Sequence, residues 1–317
     1  MPNYRFISLS NSRISPITHE GTTYENTMFA DIQINLGYIT KQKARNSSKF
    51  IGMAKSARIS ENSIRGNYDT SNYSNGSYNG KNKSMSMVGL VLSKEKYSLE
   101  LWDYYVDDFV NTVYFYGDYN FHLNKDITLT TAIQYASQQN VGDNIAGDID
   151  TSFFGLKAQI ALKNGITMFS AYNQIAYNEN SYDGGTIFVR WGTPQMFNSF
   201  QVQDSELAGT KSIGAGVQFD LGKLGLIPNT IIRFRHAFYN MPDSINDKDA
   251  AQDRSETTFD LNYSFKKVEG LTIQFRVAYN NYKTDYDYDA YRLRHGYSFD
   301  TLRDDFVDTR FYIDYMF

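Results

Sequence analysis

The chain ends Asp305-Phe306-Val307-Asp308-Thr309-Arg310-Phe311-Tyr312-Ile313-Asp314-Tyr315-Met316-Phe317, and the reading of this stretch decides the fold. Side chains of an extended segment alternate between two faces. Val307, Thr309, Phe311, Ile313, Tyr315 and Phe317 therefore share one face, and Phe306, Asp308, Arg310, Tyr312, Asp314 and Met316 share the other. The first face is apolar; the second carries three charges. An amphipathic strand that stops on an aromatic residue has the character of the closing strand of a bacterial outer-membrane barrel, with lipid outside and water inside. The edge strand of a soluble β protein shows the same alternation, so the rest of the chain has to decide.

Composition favours the barrel. With 317 residues the chain holds one large β domain or two smaller ones. Aromatic residues make up 16% of a chain whose mean hydropathy is only -0.49. Such a combination suits a transmembrane barrel, where alternate strand residues face lipid, aromatic girdles mark both interfaces, and loops and lumen stay polar. No run of eighteen apolar residues occurs, so a helical membrane span is excluded. The chain has no cysteine, which removes thiol chemistry and zinc-thiolate sites. A net charge of -4 argues against a nucleic-acid partner.

Going outward from the closing strand, the same alternation recurs throughout. Strands are expected around Thr18–Glu25, Ile32–Ile39, Val88–Leu92, Tyr97–Leu101, Val113–Phe121, Ile127–Tyr135, Phe154–Ile160, Ile166–Ala176, Ile213–Leu221, Ile232–Phe238, Phe259–Phe265 and Leu271–Tyr279. With the closing strand this makes roughly thirteen. Lys163-Asn164-Gly165 has hairpin chemistry. Short turns near Asn26, Ser93, His122, Lys163, Gly222 and Lys266 fall on the end where the last strand stops. Longer connections at Lys41, Ser137, Tyr177, Asn240 and Tyr282 fall on the opposite end. Short periplasmic turns and long external loops are the outer-membrane pattern. The expected organisation is a single all-β domain, residues 1–317: a transmembrane, antiparallel, up-and-down β-barrel with long loops at 41–84 and 177–211.

Two features of the front of the chain carry an expectation. Met1 to Ser15 shows no basic segment followed by an apolar core and cleavage site. An odd strand count also conflicts with the even number that antiparallel closure requires. The chain is accordingly expected to be part of a longer precursor, with at least one strand missing at the front.

Short motifs spread along the chain resemble the OprD superfamily of porins, the substrate-selective carboxylate channels of pseudomonads. Asn11, Ser12 and Arg13 precede Pro16 and Glu20, and Gly37-Tyr38-Ile39 with Lys41 precedes Arg45-Asn46-Ser47 and Phe50. Leu101-Trp102-Asp103-Tyr104-Tyr105, Trp191-Gly192-Thr193-Pro194 with Met196-Phe197, Ala251-Gln252-Asp253-Arg254 and Phe259-Asp260-Leu261 follow in collinear order. The resemblance implies an eighteen-stranded barrel of which this chain supplies about the last thirteen strands, without the main constriction loop. It also implies a Gram-negative outer-membrane location with a lipid bilayer and lipopolysaccharide as surroundings. Whether channels stand alone or associate as homotrimers is left open.

Strand parity points Lys157, Arg233, Arg235, Arg276 and Arg310 into the lumen, since on the lipid face at midplane each would cost about 2 to 4 kcal/mol. All five are expected on one wall. By resemblance, a ladder of basic residues guides a solute's carboxylate, and a planar guanidinium suits that task by gripping both oxygens. The same arginines could instead pair with Asp118, Asp220, Asp260 and Asp314, which share their parity. Arg190, Trp191, Pro194, Met196 and Phe197 belong to a loop more apolar than an external loop requires, expected to fold into the pore or across its mouth. Tyr104, Tyr105, Tyr114 and Tyr116 read as girdle or lumen packing.

Catalysis has little support. None of His19, His122, His236 and His295 neighbours a plausible nucleophile in sequence, and no cofactor or metal motif is present. The expected function is passive outer-membrane diffusion of small carboxylate solutes, with a non-selective structural or adhesin-type barrel as the alternative.

Overall fold

A computed structural model describes residues 4–7, 17–29, 31–43, 48–57, 83–145, 147–178, 180–189, 191–192, 194–203, 205–241, 253–283 and 305–315. The strands are β1 (Thr18–Phe29), β2 (Ile32–Lys43), β3 (Ile51–Gly52), β4 (Met85–Ser93), β5 (Tyr97–Val106), β6 (Val110–Asn124) and β7 (Ile127–Asn140). They continue as β8 (Asp150–Leu162), β9 (Ile166–Ile175), β10 (Lys211–Asp220), β11 (Thr230–Asn240), β12 (Arg254–Ser264), β13 (Leu271–Tyr282) and β14 (Phe306–Tyr315). A short helix, α1 (Met53–Ala57), follows β3.

Every long strand pairs antiparallel with its sequence neighbour, in the order β1-β2-β4 and onward to β14, and β3 is a stub on β2. Thirteen long strands match the number expected from alternation. Reversal at each step leaves β1 and β14 running the same way, and among the described residues the two are not paired. Several strands outrun their apolar alternation: β1 reaches Phe29, β6 passes through His122, and β7 reaches Asn140. Polar residues continue the ladder there because backbone hydrogen bonds need no apolar side chain. The stretch 41–84 likewise begins inside β2 and holds α1 rather than being loop throughout.

The period-two pattern sorts side chains as the sequence implies. On β14, Val307, Phe311, Ile313 and Tyr315 are each more than half exposed, while Phe306, Asp308, Arg310 and Tyr312 are half-buried. The same outer face carries Leu36, Leu90, Leu101, Leu156, Ile213 and Phe234, all exposed. A contiguous apolar band encircling the sheet is far beyond the patches that soluble proteins expose and requires lipid against it. Aromatics flank the band: Tyr97, Tyr119, Phe121 and Tyr315 near the short turns, and Tyr38, Tyr105, Phe238 and Tyr279 near the long connections.

The opposite face holds the core. Tyr4, Phe6 and Ile7 pack with Trp102, Tyr104, Tyr114, Phe109, Phe188 and Trp191 in one buried cluster. Tyr4 lies 4.9 Å from Trp102, and Phe6 lies 5.7 Å from Tyr104, ring centroid to centroid. Gly89 makes room for this packing, because a Cβ there would sit 2.2 Å from the Trp102 ring. Gly89→Ala is therefore expected to displace Trp102 and cost about 1–3 kcal/mol through overpacking. A lower midpoint in urea unfolding from detergent micelles is the check, and an unchanged midpoint would show that the ring moves freely.

Turn chemistry fixes the ends. Gly165 has φ of 100° in the β8–β9 hairpin, a value open to glycine but strained for other residues. At the far end Asp305 accepts from Tyr279 Oη (2.8 Å), Asn281 Nδ2 (2.7 Å) and the Tyr282 amide (2.8 Å). These donors, the backbone amide foremost, hold the Asp305 carboxyl below the usual range and pin the entry to β14 onto β13.

Candidate functional site in the barrel lumen

Direct cross-strand partners share a face. Arg233 on β11 stands opposite Asp260 on β12, Asp260 opposite Arg276 on β13, and Arg276 opposite Arg310 on β14. Four neighbouring strands thus contribute one row of charges on the core-bearing face. Arg235 lies one pleat further towards the long connections, opposite Thr258. Barrel strands tilt by about 35–45°, so a row at right angles to them climbs about 3 Å per strand as it goes round. The row is a ramp rather than a ring.

Two of the arginines share one carboxylate. Asp260, 1% exposed at its side chain, accepts from Arg235 Nη2 at 2.7 Å and from Arg276 Nε. Arg235 also donates to Thr258 Oγ1 (3.1 Å). Arg310 pairs with Asp308 on its own strand (2.6 Å), and Arg233 donates to the neutral Gln218 (2.7 Å). Of the four acids that could have paired with these arginines, Asp260 does so. Asp220 instead lies 3.8 Å from Lys223, and Asp118 accepts from Ser98. Among the described residues, Asp260 and Asp308 are the carboxylates ion-paired to these four arginines, and Arg233 is paired to neither. Lys157 adds a further cation that has no carboxylate partner among the described residues: its ammonium lies 5.2 Å from the centre of the Phe169 ring. Lys157 belongs to β8, three strands from β11, so the five cations do not form one contiguous row; the fifth is joined to the other four through Phe169, which packs on the Phe200 ring beneath Arg235.

The connection from 177 to 210 runs over this face, stitched to it by side chains from both halves of the sheet. On β7, Gln138 donates to the Phe188 carbonyl (2.9 Å) and accepts from the Phe188 amide (2.6 Å), and Gln134 donates to the Gln195 carbonyl (3.3 Å). Trp191 is 2% exposed, and its indole N–H donates to the Met53 carbonyl (3.1 Å) and Ser56 Oγ (3.0 Å) of α1. Asn198 is fully buried against β9 and β10, bonding Asn173 at 3.1 Å and Ser212 at 3.1 Å. Beyond it, Glu256 of β12 receives the amides of Gln201, Val202 and Gln203, and Gln201 reaches Asp308 on β14. Since α1 is itself tied to β2 through Ser56 and Gln42, the segment links β2 to β14, eleven steps apart in the sheet. An arc of about 50 Å is subtended by a short, twice-turned segment, so the sheet curls round it.

Pro194 and Met196 are buried in that segment, and Phe197 meets Tyr116 edge-on at 6.5 Å. Arg190 lies outside the described residues. Phe200 adds a feature that sequence reading did not single out: the Arg235 guanidinium sits 4.6 Å above its ring, and Phe200 meets Phe169 edge-on at 6.3 Å. Arg5 was also missed. It donates to Glu100 from Nε (2.9 Å) and lies 5.0 Å over the Tyr116 ring, on the side of the lumen away from the arginine row. Its flanking Tyr4 and Phe6 were the available signal. Of the tyrosines, Tyr104 and Tyr114 are buried in the core and Tyr105 faces outward.

A recess of about 700 Å³ opens between β5 and β10, but its walls are chiefly outward residues such as Tyr97, Leu99, Phe115 and Leu156. It belongs to the lipid face and not to the lumen. Among the described residues no group of three or more His, Asp or Glu side chains could hold a metal ion.

An apolar girdle outside, charged residues inside, short turns at one end and an inward-folded connection together define an outer-membrane porin. Residues 1–301 match the OprD family of outer membrane porins, and the chain belongs to that family. It is an outer-membrane porin of Gram-negative bacteria, a passive channel and not an enzyme. Its outer surface meets the lipid bilayer and its lipopolysaccharide. The fold is similar to that of Acinetobacter baumannii OccAB3, with a TM-score of 0.77 at 15% identity, covering 99% of this chain and 71% of that one. Pseudomonas aeruginosa OccK9 (OpdG) gives a TM-score of 0.75 at 14% identity, covering 99% and 70%. The structure of P. aeruginosa OpdK with vanillate gives 0.72 at 15% identity, covering 99% and 73%. No curated protein sequence matches the chain.

Proposed function

We propose that the channel passes small solutes bearing a carboxylate, guided along the ramp of Arg233, Arg235, Arg276 and Arg310 and by Lys157 on β8. The observation that carries this reading is the excess of cations over ion-paired acids: among the described residues, only Asp260 and Asp308 are ion-paired to the four guanidiniums. Among the described residues Arg233 and Lys157 have no acidic partner, so each offers its charge to an incoming anion at little cost in broken pairs. Arg310 keeps its side chain 29% exposed beside Asp308, which suits a guidance step more than a locked strut. Phe169 and Phe200 place apolar surface beside the cations, suited to the hydrocarbon body of an organic acid. Vanillate, the acid named with OpdK, has that build.

Arg235→Ala and Arg276→Ala are expected to weaken carboxylate block of single-channel current by about tenfold each, since a charged hydrogen bond contributes about 1.5–3 kcal/mol. Neither should unfold the barrel, whose ladder of backbone bonds is untouched. The measurement is concentration-dependent block in a planar bilayer. Unchanged block in both variants would favour the non-selective barrel, in which Asp260 serves only to hold these arginines in the wall.

A further inference from the structure

We infer that Glu256 is the latch that holds the 201–203 segment in the lumen and so sets the width of the pore. The inference rests on the channel reading, but it does not depend on which solute passes.

Glu256 is fully buried on the inner face of β12, opposite Ala237 and Asn280. A carboxylate in that position needs compensation, and among the described residues no salt bridge supplies it. Three consecutive backbone amides do so: Gln201 and Val202 donate to Oε1 at 2.9 and 3.1 Å, and Gln203 donates to Oε2 at 2.8 Å. Consecutive N–H groups converging on one anion form a concave nest, which exists only while the backbone wraps round the charge. The segment's fold and the burial of Glu256 are therefore one event.

The neighbouring contacts fix the direction of the wrap. Gln203 donates to Asn280 Oδ1 (3.0 Å) and Tyr282 Oη (2.6 Å) on β13, and Gln201 donates to the Asp308 carbonyl (3.0 Å) on β14. Strands β12, β13 and β14 thus all grip the segment, but among the described residues only Glu256 takes its main-chain donors. Side-chain contacts can exchange for water one at a time. Losing the carboxylate strands three amides together in a buried site. Phe200 precedes the latch directly and carries the Arg235 contact, so the latch also positions the aromatic face beside the arginine row.

The test uses Glu256→Ala and Glu256→Gln in the channel expressed from its full coding sequence and reconstituted in planar bilayers. A glutamine keeps the shape but turns one acceptor into a donor, so one or more amides lose their partner. The expected result is a larger single-channel conductance in potassium chloride, with the alanine variant above the glutamine variant.

A second readout comes from the absence of cysteine in the chain. Ser205→Cys places the one thiol of residues 1–317 at a fully buried site whose hydroxyl has no partner among the described residues, a mild exchange. In Glu256→Ala the thiol is expected to react with a maleimide at least about tenfold faster, the factor for losing one hydrogen bond to a charged group. Native conductance and native labelling in either variant that assembles would overturn the latch. Changed carboxylate block at constant conductance would also overturn it, while leaving the guidance reading intact. Raised conductance with no carboxylate block in any channel would support the latch and sink the guidance reading.

Discussion

Asp260→Asn is expected to shift the channel strongly towards anions while weakening the barrel. Asp260 is the single carboxylate between Arg235 and Arg276, and all three side chains are largely buried. Removing its charge raises the local surplus by one. A unit charge about 6 Å from a passing anion, at an effective dielectric constant of about 40, is worth about 1.4 kcal/mol, or a factor of about ten in binding. The reversal potential in a salt gradient should move towards the chloride potential, and carboxylate block should tighten by that factor. Stability moves the other way. Breaking a buried pair from one side leaves uncompensated charge and costs about 3–5 kcal/mol. The arginines keep partial exposure to lumen water, so the lower end applies. Urea unfolding gives the second figure. A reversal potential that stays put would mean that the arginines lie off the ion path, whatever happens to stability.

The opposed signs separate two roles that static geometry superimposes. A purely structural Asp260 would change stability alone, and a purely electrostatic one would change selectivity alone. Arg233 supplies the control, because its partner Gln218 is neutral and Gln218→Ala removes no charge.

The legible part of this protein was its walls. In a barrel each strand residue sees either lipid or lumen, so alternation along β13 and β14 reports orientation residue by residue. Arg276 and Arg310 could be placed by parity because the lipid alternative is costly. Asp260 followed from the same parity. Glu256 was equally within reach, four residues upstream on the same face, but the expected strand began at Phe259 and stopped short of it.

Partnership was not legible. Register decides which residues stand opposite one another, and nothing in the sequence near Arg233 names Asp260 as its cross-strand neighbour. The same holds for Lys157, whose parity put it inside but whose strand number put it three strands from β11 and outside the arginine row. Least legible was the inward segment. Its contacts come from Gln134, Gln138, Asn173 and Glu256, polar residues scattered over strands far apart in sequence, each ordinary in a lumen. Arg5 illustrates the limit further: it lies 95 positions from Glu100, and no local pattern could have joined them.

Trp191→Ala is expected to release the other end of the lumen segment. The indole packs against Phe109 (5.9 Å) and Phe188 (5.2 Å), and its N–H reaches two acceptors in α1. Truncating a buried tryptophan costs about 3–5 kcal/mol when its site cannot collapse. Here the loss falls on the joint between segment and helix, because the strand ladder makes none of these contacts. The barrel should still assemble, seen as retained heat-modifiable mobility on gels, with conductance above wild type. Trp191→Phe keeps most of the packing and loses the two acceptor contacts, so a smaller rise is expected. The segment is held at both ends and, between them, by Gln134 and by the bonds of Asn198, so freeing one end leaves the rest in place. Trp191→Ala combined with Glu256→Ala should therefore raise conductance by more than the two single changes together, because residues joined through one element do not add independently. Simple additivity would mean that each half of the segment is held by its own wall, and that no single element spans the pore.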